Sequence, residues 1–140
     1  MVYGSAKVNV PYPNAIRQRC DLALDSAHGT WYVEAKMMRL MGDNGKANDN
    51  ILTHILSPYS QHRSALTDCE KLSKSGFLGR YAILIFGYEY PGWPLVPTMS
   101  AFECLARERV SLSAPVVATF KQLIHPIHAA GAVYVWEIKH

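Results

Sequence analysis

Cysteine is scarce in this chain. Cys20, Cys69 and Cys104 are odd in number, far apart and form no C-x-x-C pair. This argues against a zinc site built from cysteines, and the three read as small core residues in a reducing compartment. No apolar run reaches the ~18 residues that a membrane-spanning helix requires. The opening MVYGSAKVNV lacks the charged-then-apolar pattern of a secretory signal, so the expected location is cytoplasmic and no membrane partner is expected. Internal repeats, low-complexity tracts and domain linkers are missing as well, so residues 1–140 are expected to form a single domain. Charge is thin: 18% of residues are charged, the formal net charge is +3 and the pI is near 8.8. Without clustered Lys and Arg, this balance permits nucleic-acid binding but does not demand it. Apolar residues, by contrast, make up 49% of the chain, which argues against disorder. A domain of this size hides roughly 70% of the surface that its unfolded chain exposes.

Periodicity places the elements. Residues 5–10 alternate with Val8 and Val10 on one face, and Pro11 and Pro13 are expected to end that strand. Residues 15–24 alternate again, with Ile16, Cys20, Leu22 and Leu24 facing one way and Arg17, Arg19, Asp21 and Ala23 the other. DSAHG reads as a turn, with Gly29 available for a positive φ. TWYVEAKMM, residues 30–38, then forms a strand with Tyr32, Glu34, Lys36 and Met38 on one face, giving an antiparallel hairpin. The loop MGDNGKANDN, with its five Asp and Asn residues, lies at the surface. A helical region over about 48–73 carries Ile51, Leu52, Ile55, Leu56 and Tyr59 at helical spacing. It is broken at Ser57-Pro58, where a fresh helix is expected to start with Ser57 as its cap. RYAILIFGY, residues 80–88, is apolar almost throughout, the pattern of a central strand buried on both faces. The helix before it predicts a parallel crossover. Helices are expected over 97–109 and 115–129, then a final strand over 133–139. The order β-β-β-α-β-α-α-β points to an α/β domain with a central mixed sheet flanked by helices.

Chemistry concentrates on the hairpin. Asp21 lies on the polar side of the second strand, and Glu34 and Lys36 share a face of the third. Two carboxylates can share a hard cation such as Mg²⁺, and the Ala35 carbonyl can add a ligand. Such an ion acidifies a bound water and neutralises a phosphate oxygen, while Lys36 can orient that water and stabilise developing charge. RCDLAL, a turn and WYVEAK together resemble the PD-(D/E)XK nuclease superfamily, with Cys20 at the place of the name-giving proline. The resemblance covers roughly residues 5–90. It implies a restriction-endonuclease-like fold and Mg²⁺- or Mn²⁺-dependent phosphodiester cleavage of nucleic acid, DNA above all. It also implies Asp21, Glu34 and Ala35 at the metal, with Asp21, Glu34 and Lys36 catalytic. The family's helix after ExK often contributes polar groups, which adds Gln61 to the catalytic candidates, with His62 and Arg63 beside it.

Several readings compete. Glu137-Ile138-Lys139 repeats the ExK spacing but lacks a following helix and a preceding hairpin aspartate. Glu34 and Lys36 can also be a solvated cross-strand ion pair of small worth. His62 falls on the apolar stripe and reads as a packed, hydrogen-bonded histidine. His125 and His128 sit three apart in LIHPIHAAG, a spacing that can hold a metal, but no carboxylate is near them in sequence. Lys71, Lys74 and Arg80 are candidate phosphate contacts. A non-catalytic module of the same fold, binding nucleic acid or a protein, is the alternative to an enzyme. A homodimer is one way for so small a nuclease to gather substrate surface.

Overall fold

The computed structural model describes residues 4–48 and 51–140; Asp49, Asn50 and the side chain of Ile51 lie outside the described residues. The elements run β1 (Ser5–Tyr12), β2 (Ala15–Ser26), β3 (Gly29–Arg39), α1 (Ile51–Leu56), a 3-10 turn (Ser60–His62) and α2 (Ala65–Ser73). They continue with β4 (Arg80–Glu89), α3 (Val96–Arg107), β5 (Ser111–Leu112), β6 (Val116–Phe120) and β7 (Ala130–Lys139). The seven strands form one open mixed sheet in the order β1-β2-β3-β4-β7-β5, with β6 also paired to β7. β2 and β3 make the expected hairpin, with Gly29 at φ 109° in its turn. β3 and β4 run parallel, as the intervening helical region predicts, while the other pairings are antiparallel.

The core lies between one face of this sheet and the helices. Ile55 of α1, Leu66, Cys69 and Leu72 of α2, and Met99, Phe102 and Ala106 of α3 cluster with Met38, Ile83, Ile85, Trp136 and Ile138. The break at Ser57-Pro58 is present, but the cap is not Ser57. Ser64 caps α2, its hydroxyl accepting from the Thr67 amide. The expected helix over 115–129 is a strand followed by an irregular loop. Val116, Val117, Thr119 and Phe120 favour a pleated strand, and β7 offers its free edge to them. The apolar residues that mimicked a helical stripe stay outside: Val116 is 74% exposed and Ile124 fully so. Gly131 lets β7 approach β4, since a Cβ there would sit 1.9 Å from the Gly87 carbonyl oxygen. Cys20 and Cys69 are buried as expected, but Cys104 is exposed on α3. No helix among the described residues is long and apolar enough to cross a membrane.

The first two strands depart from simple alternation. Leu22 and Leu24 lie with Trp31, Val33 and Leu84 on the face away from the helices. Cys20, two residues before Leu22, is instead buried in the helix-side core, and Val10 packs there while Val8 is 70% exposed. Val8 pairs with Leu22 and Val10 with Cys20, so both strands turn over together at Asn9 and Asp21. Asn9 has φ 53°, a left-handed conformation that asparagine accepts more readily than other non-glycine residues. The same turn-over extends β1 past Pro11 and carries Tyr12 into the core. Asn9→Val is therefore expected to cost about 1–2 kcal/mol, whereas Asn9→Gly stays near wild type. Urea denaturation of the two variants measures the difference.

Candidate functional site

Tyr12, Glu34, Lys36, Asp68 and Lys71 meet where β1 and β3 face α2. Strand alternation sends Glu34 and Lys36 toward the helices, beside their β4 partners Ile83 and Ile85. Asp68 and Lys71 lie one helical turn apart on α2. Lys71 Nζ is 2.9 Å from Glu34 Oε1 and 3.2 Å from Asp68 Oδ1, so one ammonium joins two carboxylates. Lys36 Nζ lies 3.0 Å from Asp68 Oδ2. That oxygen is buried and has the ion pair but no hydrogen bond. The Tyr12 hydroxyl donates to Glu34 Oε1, and the Lys71 ammonium lies 5.0 Å over the Tyr12 ring.

The expected residues are thus brought together in part. Glu34 and Lys36 join one cluster through Asp68, which sequence reasoning passed over. Asp21 is exposed, and its Oδ2 accepts from the Ala35 amide at 2.8 Å. The β2–β3 ladder ends at Leu22 and Val33, so this side chain takes over from the strand pairing where β2 turns away. The group of Ala35 engaged by Asp21 is its amide, and Asp21 is not one of the charges that act most strongly on Glu34. Gln61 is exposed on the 3-10 turn and is not in the lining of the cleft described below, although Ser60 and Arg63 near it are. His62 is exposed rather than packed, with Nδ1 2.6 Å from the Ser57 hydroxyl. A signal for Asp68 exists in the sequence: it falls between Ala65 and Leu72 on the inward stripe of α2, where a lone carboxylate needs a partner.

Burial, and next the Asp68 charge, push the Glu34 carboxyl up to about 7, against the pull of Tyr12 and Lys71. Burial pulls the Lys71 ammonium down, but the Asp68 and Glu34 carboxylates together outweigh it and leave Lys71 above its ordinary value. Burial and the hydrogen bond to Glu34 drive the Tyr12 hydroxyl far above its usual range. A Glu34 pKa raised on folding means that the native state binds the proton more tightly than the unfolded chain. Its contribution to stability is complete below about pH 4.5 and is lost as the pH rises toward 7. Urea denaturation across that window is expected to show a decline that Glu34→Gln removes, with a limiting slope of about 1.4 kcal/mol per pH unit.

Two walls rise from the cluster. Arg17 and Arg19 of β2, Ser60 of the 3-10 turn and Arg63 just after it, and Lys71 of α2 with Lys74 at its C-terminal cap line a cleft of about 560 Å³ that has Asp68 in its wall. Five cationic side chains thus border a space whose wall includes one of the two carboxylates, that of Asp68, while Glu34 and Lys36 lie behind it. The donor set fits a hard divalent cation: Glu34 and Asp68 converge on the point now held by Lys71, and Asp68 Oδ2 has capacity to spare. Elsewhere, the second ExK spacing is self-contained, because Glu137 takes Arg80 at 2.8 Å and Lys139 at 3.2 Å. Arg80 also stacks over Trp31, 4.1 Å from its centroid, so it is not one of the cleft's cations. No family model, curated protein or solved structure matches the chain.

Proposed function

We propose that this protein is a metal-dependent hydrolase of nucleic-acid phosphodiester bonds, acting on DNA as an endonuclease, with a restriction-endonuclease-like fold. The observation that carries the reading is the convergence of Glu34 and Asp68 on one point beside Lys36, next to a cleft walled by arginines and lysines that has Asp68 in its lining. Glu34 and Asp68 would hold Mg²⁺ or Mn²⁺, which supplies an acidified water and neutralises a phosphate oxygen when bound. Arg17, Arg19, Arg63 and Lys74 bind and align the phosphate backbone. Lys36 orients the attacking water and stabilises charge on the phosphate in the transition state. Asp21 acts through the backbone, fixing the Glu34–Lys36 segment by its bond to the Ala35 amide. Lys71 neutralises the two carboxylates, and it would give up that place if they held an ion. Cytoplasmic residence agrees with this role.

A second reading has its own observation. Two ammoniums already compensate two carboxylates, so the cluster can serve as a buried polar support beneath a nucleic-acid-binding groove, with no cleavage. A homodimer suits either reading. The sheet face away from the helices presents Leu22, Leu24, Trp31, Val33, Leu84 and Val135, and parallel strands ordinarily have both faces covered. The deciding experiment incubates the protein with single-stranded, duplex and branched DNA, and with RNA, in Mg²⁺, Mn²⁺ or EDTA. Cleavage that needs the ion and is lost in Asp68→Asn supports the enzyme. Salt-sensitive binding of those substrates without cleavage supports the module.

A further inference from the structure

Beyond the cleft, the loop after β3 and the loop between β6 and β7 meet through side chains that the proposed hydrolase does not use. We propose that Asp43, His125 and His128 form a separate site for a divalent transition-metal ion of the zinc class. One nitrogen from each histidine and one carboxylate oxygen lie within 4.8 Å of one another. The carboxylate that the sequence around LIHPIHAAG lacks is thus supplied from a distant segment. Imidazole with a single carboxylate is a donor set suited to zinc, with a solvent molecule completing four ligands.

The surroundings of His128 fit such a role. The side chain is buried, with Nε2 2.8 Å from Asp43 Oδ1 and Nδ1 2.6 Å from the Tyr90 hydroxyl. Tyr90 Oη also lies 3.4 Å from the Met41 carbonyl. Both neutral tautomers are therefore served. With the proton on Nε2, His128 donates to Asp43 and Tyr90 donates to Nδ1. With Nε2 on a metal, the proton moves to Nδ1, His128 donates to Tyr90, and Tyr90 donates to Met41. A ligand histidine commonly has such an outer partner on its second nitrogen. Asp43 is also prepared: Oδ1 takes His128 and, at 3.3 Å, Arg39, while Oδ2 has no protein partner among the described residues.

His125 stacks on His128 with ring centroids 4.6 Å apart. Its Nδ1 accepts from the amides of Ile127 and His128, so coordination requires the exposed ring to leave that turn and water to take the two amides. An ion would then tie the two loops together, adding to the Asp43–His128 bond and the Tyr90 bridge between Met41 and His128.

The test uses EDTA-stripped, dialysed protein titrated with Zn²⁺ by calorimetry and with Co²⁺ by visible absorption. The expected result is one tight ion per chain, intense visible bands of four-coordinate Co²⁺ and a raised melting temperature. Asp43→Asn and His125→Ala change exposed residues, so both variants should fold, and each should weaken binding at least tenfold. Tyr90→Phe should weaken it by roughly ten- to hundredfold. Glu34→Gln should leave it unchanged, which separates this site from the cleft. Binding that survives intact in both Asp43→Asn and His125→Ala, or wild-type binding no tighter than theirs, overturns the proposal.

Discussion

In the proposed hydrolase, Lys36→Ala is expected to abolish most DNA cleavage while leaving the fold and the proposed binding of DNA and a divalent ion in place. Only about a quarter of the side chain is exposed, and its Nζ is 3.0 Å from Asp68 Oδ2 at the carboxylate pair. In the proposed chemistry the carboxylates hold the ion and the arginines hold the backbone. Lys36 acts on charge that develops only as the water attacks. Removing a group of that kind lowers the rate more than the affinity, by about 2–4 kcal/mol of barrier, or roughly 30- to 1000-fold. Lys139→Ala is the matched control. It removes one lysine from an ExK spacing, but that lysine is more than half exposed and pairs with Glu137 outside the cleft. Single-turnover cleavage with saturating enzyme, set beside fluorescence anisotropy for DNA binding, separates rate from affinity. Equal rates in the two variants would remove the catalytic role of Lys36.

The second large effect concerns stability, and it distinguishes a metal site from a purely structural cluster. Lys71→Met leaves Glu34 and Asp68 buried side by side, with the ammonium of Lys36 on Asp68 as their remaining close cation. Removing one partner of a buried ion pair typically costs 3–5 kcal/mol. A figure of about 3 kcal/mol is expected here, because nearly a third of the Lys71 side chain is exposed and solvent already screens it. Part of the loss will be relieved at low pH, where Glu34 takes up a proton. If the carboxylates are metal ligands, millimolar Mg²⁺ should restore stability at neutral pH. An ion at a hundredfold excess over its Kd contributes about 2.7 kcal/mol. Thermal melts of wild type and Lys71→Met, each with Mg²⁺ and with EDTA, provide the measurement. A variant that stays unstable in Mg²⁺ favours the supporting cluster without an ion.

Elements whose side-chain pattern has one physical cause were legible in the sequence. The β2–β3 hairpin, the apolar β4 and its parallel pairing, α3 with Met99 and Phe102 inward, and the last strand follow from periodicity and turn residues alone. β6 was not legible. Val116, Phe120, Leu123, Ile124 and Ile127 happen to fall at helical intervals, while their strand preference matters only because β7 presents an open edge. At the site, Glu34 and Lys36 were legible from alternation. Asp21 was legible as a hairpin residue beside Glu34, but its bond to the Ala35 amide was not, because alternation assumes an unbroken strand and the left-handed Asn9 opposite it marks where both strands turn over. Asp68 was missed because a carboxylate on an inward helical face gains meaning only once the lysines of two other turns of chain are beside it.

The placement of β7 has a consequence for how the sheet is made. β7 lies inside the sheet, with β4 on one side and β5 and β6 on the other, yet it follows all three in the chain. During synthesis, at about 5–20 residues per second, β4 spends several seconds with one edge open while α3, β5 and β6 are added. β5 and β6 have no sheet partner until β7 arrives, because both pair only with it. Ribosome-bound chains that stop before Ala130 should therefore carry an exposed apolar edge at Ile83–Phe86, the stretch on which a chaperone would act.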